Sequence, residues 1–294
     1  MRSETEMMEL ILEGARQDQR VLAAYLKGSR TNPNVPKDPY RDFDVMYVVT
    51  ETESFRRDTR WLDRFGTILL KQEQGDELGF GERFGLRDCF DQLYSWLLMF
   101  DDGNRIDIGV ETVEHMERGA TRNKLFLPLL DKVGCLPKLP PPSDEDFHVK
   151  VPAEKRYLGC CNGFFWSLCD VIKGCMREEL PYAMSVYHTQ ARPMLEQMLE
   201  WYVGCETGFS LSCGKEHRFF QQYLPEELYE AFTHTYAAGS FQVLEDSIHS
   251  ARQLFRKTAL LVAERLSFSY PDGVEEGFLR YQQLMADIAE TEKK

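Results

Sequence analysis

Apolar and polar positions follow two rhythms along this chain. Up to about residue 142, short β-branched and aromatic runs alternate with Gly, Pro, Asn and Asp. Beyond it, apolar residues recur mainly at three- and four-residue spacing, the helical period. In the first part, Met7, Met8, Leu10, Ile11 and Ala15, then Val21, Leu22, Ala24 and Tyr25, predict a helix over 4–27. Its last stretch, 21–26, has the alternative of a short strand leading into Gly28. Residues 42–50 predict a strand. Residues 54–65 predict a helix, with Thr52 or Ser54 as N-cap and Phe55, Trp61, Leu62 and Phe65 on one side. A short strand follows at 68–72, and 75–90, with its four glycines, reads as a loop. Residues 94–100 and 105–110 predict a hairpin turning at Asp102-Gly103. Strand alternation then puts Asp107 on the opposite face from Ile106 and Ile108. A helix begins over 112–119.

The Pro-rich run at 136–142 is the clearest punctuation in the chain. It predicts two domains, 1–142 and 143–294. The second reads as all helical, with helices at 154–177, 194–203, 225–236, 240–266 and 277–288. Pro181 suits a helix start, Pro193 breaks or restarts a helix, and Gly204 fits a C′ position. Residues 208–214 read as a loop. The fold class is α+β, strands and helices first and helices alone afterwards.

Composition narrows the picture. The chain has 294 residues, 43% hydrophobic and 12% aromatic, enough for a full core. The longest apolar candidate, 93–100, is strand-sized and far short of a bilayer span. The first six residues are polar, which predicts no secretory signal and a cytoplasmic protein. Eight cysteines form no Cys-x-x-Cys pair, so reduced, mainly buried thiols are expected. The formal charge of −13 disfavours nucleic-acid binding, which needs clustered Lys and Arg, and suits a cationic small substrate. No membrane partner is expected, and oligomeric state stays open.

The stretch at 28–49 carries the densest chemistry. A small-residue turn, Gly28-Ser29-Arg30, precedes a Pro-containing loop that delivers Asp42 and Asp44 to the head of an apolar strand. Carboxylates at i and i+2 of an extended segment point to one side. Like-charge repulsion opposes that placement unless a cation sits between them. A glycine turn with exposed N–H groups is a place for phosphate. On spacing alone, the acidic pair could equally be a solvated loop-to-strand junction and the turn an ordinary tight turn. No His-Glu-x-x-His, Gly-x-Ser-x-Gly or Walker-type Gly-Lys-Ser/Thr occurs.

These motifs, together with Thr31-Asn32 after the turn and Asp102-Gly103-Asn104-Arg105-Ile106-Asp107, resemble the aminoglycoside 6-adenylyltransferases (streptomycin adenylyltransferases) of the nucleotidyltransferase superfamily. So do Glu179-Leu180-Pro181-Tyr182-Ala183, Arg192-Pro193-Met194-Leu195 and Trp201-Tyr202-Val203-Gly204. The resemblance covers roughly residues 7–268. It implies a mixed sheet with helices in the first domain and an acceptor-binding helical domain after it. It implies transfer of AMP from ATP to a hydroxyl, the 6-hydroxyl of streptomycin first among candidates, with release of pyrophosphate. Asp42, Asp44 and Asp107 would hold Mg²⁺, two ions in all, and Asp107 would take the hydroxyl proton. Asp107 could instead pair with Arg105. Gly28, Ser29 and Arg30 would contact the triphosphate, and Lys215 could reach it, although a loop lysine is more often solvated. Asp170, Glu178, Glu179 and Tyr182 would line a pocket for the cationic acceptor, or simply give a helix an acidic first turn. Two further readings are a nucleotidyltransferase acting on another small-molecule or protein hydroxyl, and a nucleotide- or drug-binding protein without catalysis.

Overall fold

The computed structural model describes residues 1–120 and 124–292. The chain divides into two compact units, Met1–Asp146 and Phe147–Lys294. The first holds α1 (Glu4–Gln17), β1 (Val21–Lys27), β2 (Phe43–Val49), α2 (Glu53–Arg57), β3 (Ile68–Glu73), α3 (Phe80–Arg83), β4 (Leu93–Phe100), β5 (Arg105–Thr112), α4 (Val113–Ala120) and β6 (Phe126–Asp131). Its six strands form one mixed sheet in the order β3-β4-β5-β2-β1-β6. Among the described residues, only the β2–β5 pair is parallel; the others are antiparallel.

Of the two readings of 21–26, the short strand leading into Gly28 is the one found. α1 starts on a capping box, in which Ser3 and Glu6 satisfy each other's backbone N–H groups. It stops at Gln17, and the chain re-enters as β1, a strand buried on both faces. A doubly buried strand is apolar almost throughout, and so mimics a helix face over a short window. The helix expected at 54–65 is α2 followed by a 3₁₀ segment, Thr59–Phe65. The 75–90 loop contains the short α3. The strand β6 was not expected at all. It lies at the sheet edge, the place where its Pro128 is tolerated in a ladder.

One face of the sheet packs on α1, α2 and the 3₁₀ segment through Met7, Ile11, Val45, Phe55, Phe65, Trp96, Ile106 and Ile108. Each such side chain contributes on the order of 1.5–3 kcal/mol when buried. Tyr47 O–H donates to the Ile11 carbonyl at 2.5 Å, fastening α1 to the sheet. The other face carries a smaller cluster of Ala23, Tyr25, Met46, Val48, Met116 and Phe126. That cover stops short of the end where Asp44 and Asp107 lie half-buried and Lys27 is exposed.

The second unit is helical: α5 (Glu154–Met176), α6 (Leu180–Val186), α7 (Arg192–Thr207), α8 (Phe220–Tyr223), α9 (Glu226–Thr233), α10 (Phe241–Leu266) and α11 (Asp272–Glu292). Its core joins Phe164, Phe165, Leu168, Leu199, Leu254 and Phe255, with Phe164 and Phe255 stacked at 4.1 Å. Between α6 and α7 the helix widens into a π turn, Tyr187–Ala191. Pro193 cannot donate to the preceding turn, which explains the widening there. Gly204 is not a C′ residue: α7 runs on to Thr207, and Gly208, at φ +63°, ends it. The last helix starts at Asp272, earlier than expected. All eight cysteines are free, three buried and five half-buried, so burial is less complete than expected. No described helix is long and apolar enough to cross a membrane.

Candidate active site

The site builds outward from the end of β1. After Lys27 the chain turns through Gly28, whose φ of +72° suits a residue without Cβ. A Cβ there would collide with the Asp44 carboxylate, so the turn backbone lies directly against that side chain. Thr31 closes the turn: its N–H and hydroxyl donate to the Gly28 carbonyl at 3.1 and 2.9 Å. Asn32 N–H donates to the Ser29 carbonyl at 3.3 Å. The following loop is pinned at Asp144, which accepts from the side-chain amides of Asn32 and Asn34 at 3.4 and 2.8 Å.

Arg30 takes a place that its sequence position did not suggest. Its guanidinium lies 3.5 Å over the Phe43 ring and donates to the carbonyls of Asp42 and Arg41 at 3.0 and 2.7 Å. It therefore clamps the loop to the head of β2, and its charge serves that clamp as it stands.

β2 and β5 run parallel and in register. Asp44 pairs with Asp107 directly, and Phe43 with Ile106. In-register residues on neighbouring strands share a face. Asp107 thus stands beside Asp44 and away from Ile106 and Ile108, as the alternation predicted. On the other side of Asp44, β1 places Lys27 opposite it. A row runs across the open face: Asp107, Asp44, Lys27. Asp42, two residues before Asp44, belongs to the same face. Burial, and next the charge of Asp107, push the Asp44 carboxyl up to about 6, against the pull of Lys27. Arg105 grips Asp107 with two hydrogen bonds, at 2.7 and 2.8 Å, and its Nε lies 3.5 Å from Asp42 Oδ2.

Sharing a face does not make the three carboxylates a ready cage. Among the described residues, no group of three or more His, Cys, Asp or Glu is placed to hold a metal ion unaided. The expected metal set is present as donors but not preassembled. Their chemistry still fits Mg²⁺, a hard cation that takes one or two carboxylates and completes its shell with phosphate and water.

The other expected residues lie in the second unit. Asp170 is on α5, paired with Lys173 at 2.9 Å. Glu178 and Glu179 form the exposed link to α6, and Tyr182 on α6 lies over Gly174 of α5. Glu178, Glu179 and Tyr182 share the α5–α6 corner, and Asp170 lies farther back along α5. Lys215 opens an exposed 3₁₀ turn, Lys215–His217.

Two cations beside the site escaped the pattern reading. Lys27 depends on cross-strand register, which local sequence does not give. Arg41, 9% exposed, donates to the Ser29 carbonyl at 3.4 Å, and its Nε is buried without a hydrogen-bond partner among the described residues. Its position next to Asp42 was the available signal.

Known proteins match along nearly the whole chain. The family model described as streptomycin adenylyltransferase matches residues 1–285. An aminoglycoside 6-adenylyltransferase of Campylobacter jejuni is 35% identical over 271 residues, 92% of each chain. One from Bacillus subtilis (strain 168) is 33% identical over 284 residues, 96% of this chain and 98% of its own. One from Staphylococcus aureus is 30% identical over 284 residues, 95% and 98% of the two chains. The turn at Gly28, the paired acids at the head of β2 and the third acid beside them on β5 are therefore features of a chain that belongs to the streptomycin adenylyltransferase family of enzymes.

Proposed function

We propose that this protein transfers AMP from ATP to a hydroxyl of an aminoglycoside, the 6-hydroxyl of streptomycin being the first candidate. The observation that carries the proposal is the in-register placement of Asp44 beside Asp107, with the Gly28 turn packed on Asp44. Gly28 and Ser29 frame the triphosphate, Arg30 holds the loop behind them to the head of β2, and Lys27 and Arg41 add positive charge beside the turn. Asp42, Asp44 and Asp107 would hold Mg²⁺, with two ions as the working count. When bound, Mg²⁺ would neutralise triphosphate charge and polarise the α-phosphoryl group.

The acceptor oxygen attacks the α-phosphorus, the bond from that phosphorus to the bridging oxygen breaks, and pyrophosphate leaves. Asp107, farthest of the row from the turn, receives the acceptor's hydroxyl proton. In the second unit, Asp170, Glu178, Glu179 and Tyr182 supply the charge and aromatic surface that a polycation needs.

A panel of aminoglycosides incubated with ATP and Mg²⁺ tests the proposal by mass. One adenylyl group on streptomycin, with matching pyrophosphate, is expected. No adenylylated product from any aminoglycoside would reject the activity, and product only from other members would reject the acceptor.

A further inference from the structure

Arg105 occupies the space between two of the three carboxylates. Both oxygens of Asp107 accept from its guanidinium, and the Nε that serves Asp107 Oδ1 is also 3.5 Å from Asp42 Oδ2. Register produces this arrangement. Arg105 and Asp107 are i and i+2 on β5 and share the open face. The pairing of Ile106 with Phe43 then sets Arg105 beside Asp42. A two-bond guanidinium–carboxylate pair is geometrically specific and strong among surface contacts.

Two observations argue that this pair is not a permanent strut. It takes up both oxygens of a carboxylate in the expected metal set, and among the described residues no three acids are grouped as a metal cage. The guanidinium also has somewhere to go. Arg105 lines two adjoining clefts, one of about 420 Å³ with Tyr40, Asp42 and Met99, the other of about 310 Å³ with Gln72 and Leu97. About a third of its side chain, 32%, is solvent-exposed.

We propose, resting on the reading that these carboxylates hold Mg²⁺, that Arg105 is their resident counter-ion in the ligand-free protein and yields Asp42 and Asp107 to the divalent cation. The exchange keeps the carboxylates compensated at every stage, since neighbouring half-buried anions are costly without a cation. It also makes metal alone a weak ligand, because it must displace a bidentate partner. Metal that arrives with a triphosphate brings further contacts to pay that cost. Arg105 is in this sense a positioning residue, setting when Asp107 becomes available.

Mn²⁺ titration of the full-length protein without nucleotide, read by the EPR signal of the free ion, tests the exchange. Arg105→Gln is expected to bind Mn²⁺ about tenfold more tightly than wild type, because one nearby positive charge is gone. Arg105→Lys keeps the charge but not the paired hydrogen bonds, so it should shift in the same direction by less, and it serves if the Gln variant folds poorly. Asp44→Asn is expected to bind more weakly than wild type. Mn²⁺ binding that falls in Asp44→Asn but is unchanged or weaker in both Arg105 variants overturns the counter-ion assignment alone. Equal, weak binding by wild type, Asp44→Asn and the Arg105 variants overturns the carboxylate–metal reading as well.

Discussion

Asp44 and Asp107 stand side by side on parallel, in-register strands, two acids on a half-open sheet face with a lysine on one flank and an arginine on the other. Packing does not require this juxtaposition. Burial and mutual repulsion raise the Asp44 carboxyl to about 6, so the ligand-free fold bears a cost at that position. Strain of this kind is retained where a ligand relieves it.

Removing the charge should separate function from stability. Asp44→Asn is expected to lower adenylyl transfer on the order of a thousandfold, while its thermal midpoint stays equal to or above that of wild type. Calorimetry beside a pyrophosphate assay checks both; a variant that unfolds well below wild type would show that the carboxylate instead supports the fold.

Gly28→Ala probes the turn. The added methyl meets the Asp44 carboxylate, and φ of +72° strains any L-residue by roughly 1–2 kcal/mol. Urea unfolding should show at least that loss, and kcat/KM for ATP should fall about tenfold or more through displacement of the turn. Unchanged ATP kinetics would detach the turn from nucleotide binding.

On the same sheet face but deeper, buried Glu111 accepts from the Tyr25 hydroxyl and meets His115 Nδ1 at 2.7 Å. Glu111→Ala leaves the Tyr25 hydroxyl without its partner. A loss of about 2–3 kcal/mol is expected, with Glu111→Gln losing less because it retains a hydrogen-bonding group of the same shape. Equal losses in the two variants would mean that packing, not the polar network, matters at this position.

His217 gives the second unit a pH-dependent contribution. Burial disfavours its charge, but the hydrogen bond to Glu200, 3.3 Å away, and the charges of Glu200, Glu196 and Glu216 outweigh it and raise its pKa above 6.5. A raised folded-state value means the native protein holds the proton more tightly than the unfolded chain. The stabilisation is therefore complete below pH 6.5 and lost as pH rises through the folded value. His217→Gln should lose more stability in acid than in base. Urea unfolding of both proteins on either side of that window checks the sign.

Local pattern was enough for the elements that carry the site. β-Branched residues after the Pro-containing loop marked β2, Asp102-Gly103 marked the β4–β5 turn, and alternation turned Asp107 away from Ile106 and Ile108. What it could not supply was lateral. The pairing of Asp44 with Asp107 and of Lys27 with Asp44 is fixed by contacts between segments far apart in the chain, and no short window encodes such register. The same blindness hid β6, whose Pro128 reads as a strand breaker until its edge position is known. Arg30 was placed by motif alone, and its stacking on Phe43 depends on the loop's return path. Gly204 looked like a helix end because glycine is common there, yet Gly208, four residues on, has the left-handed conformation that ends the helix.

The most direct test compares wild type with Asp107→Asn in Mg²⁺-dependent pyrophosphate release from ATP and streptomycin, with circular dichroism confirming that both are folded. The expected result is turnover by the wild type, and a rate lower on the order of a thousandfold in the folded variant. A folded Asp107→Asn protein that releases pyrophosphate at the wild-type rate would contradict a role for the third acid in the chemistry.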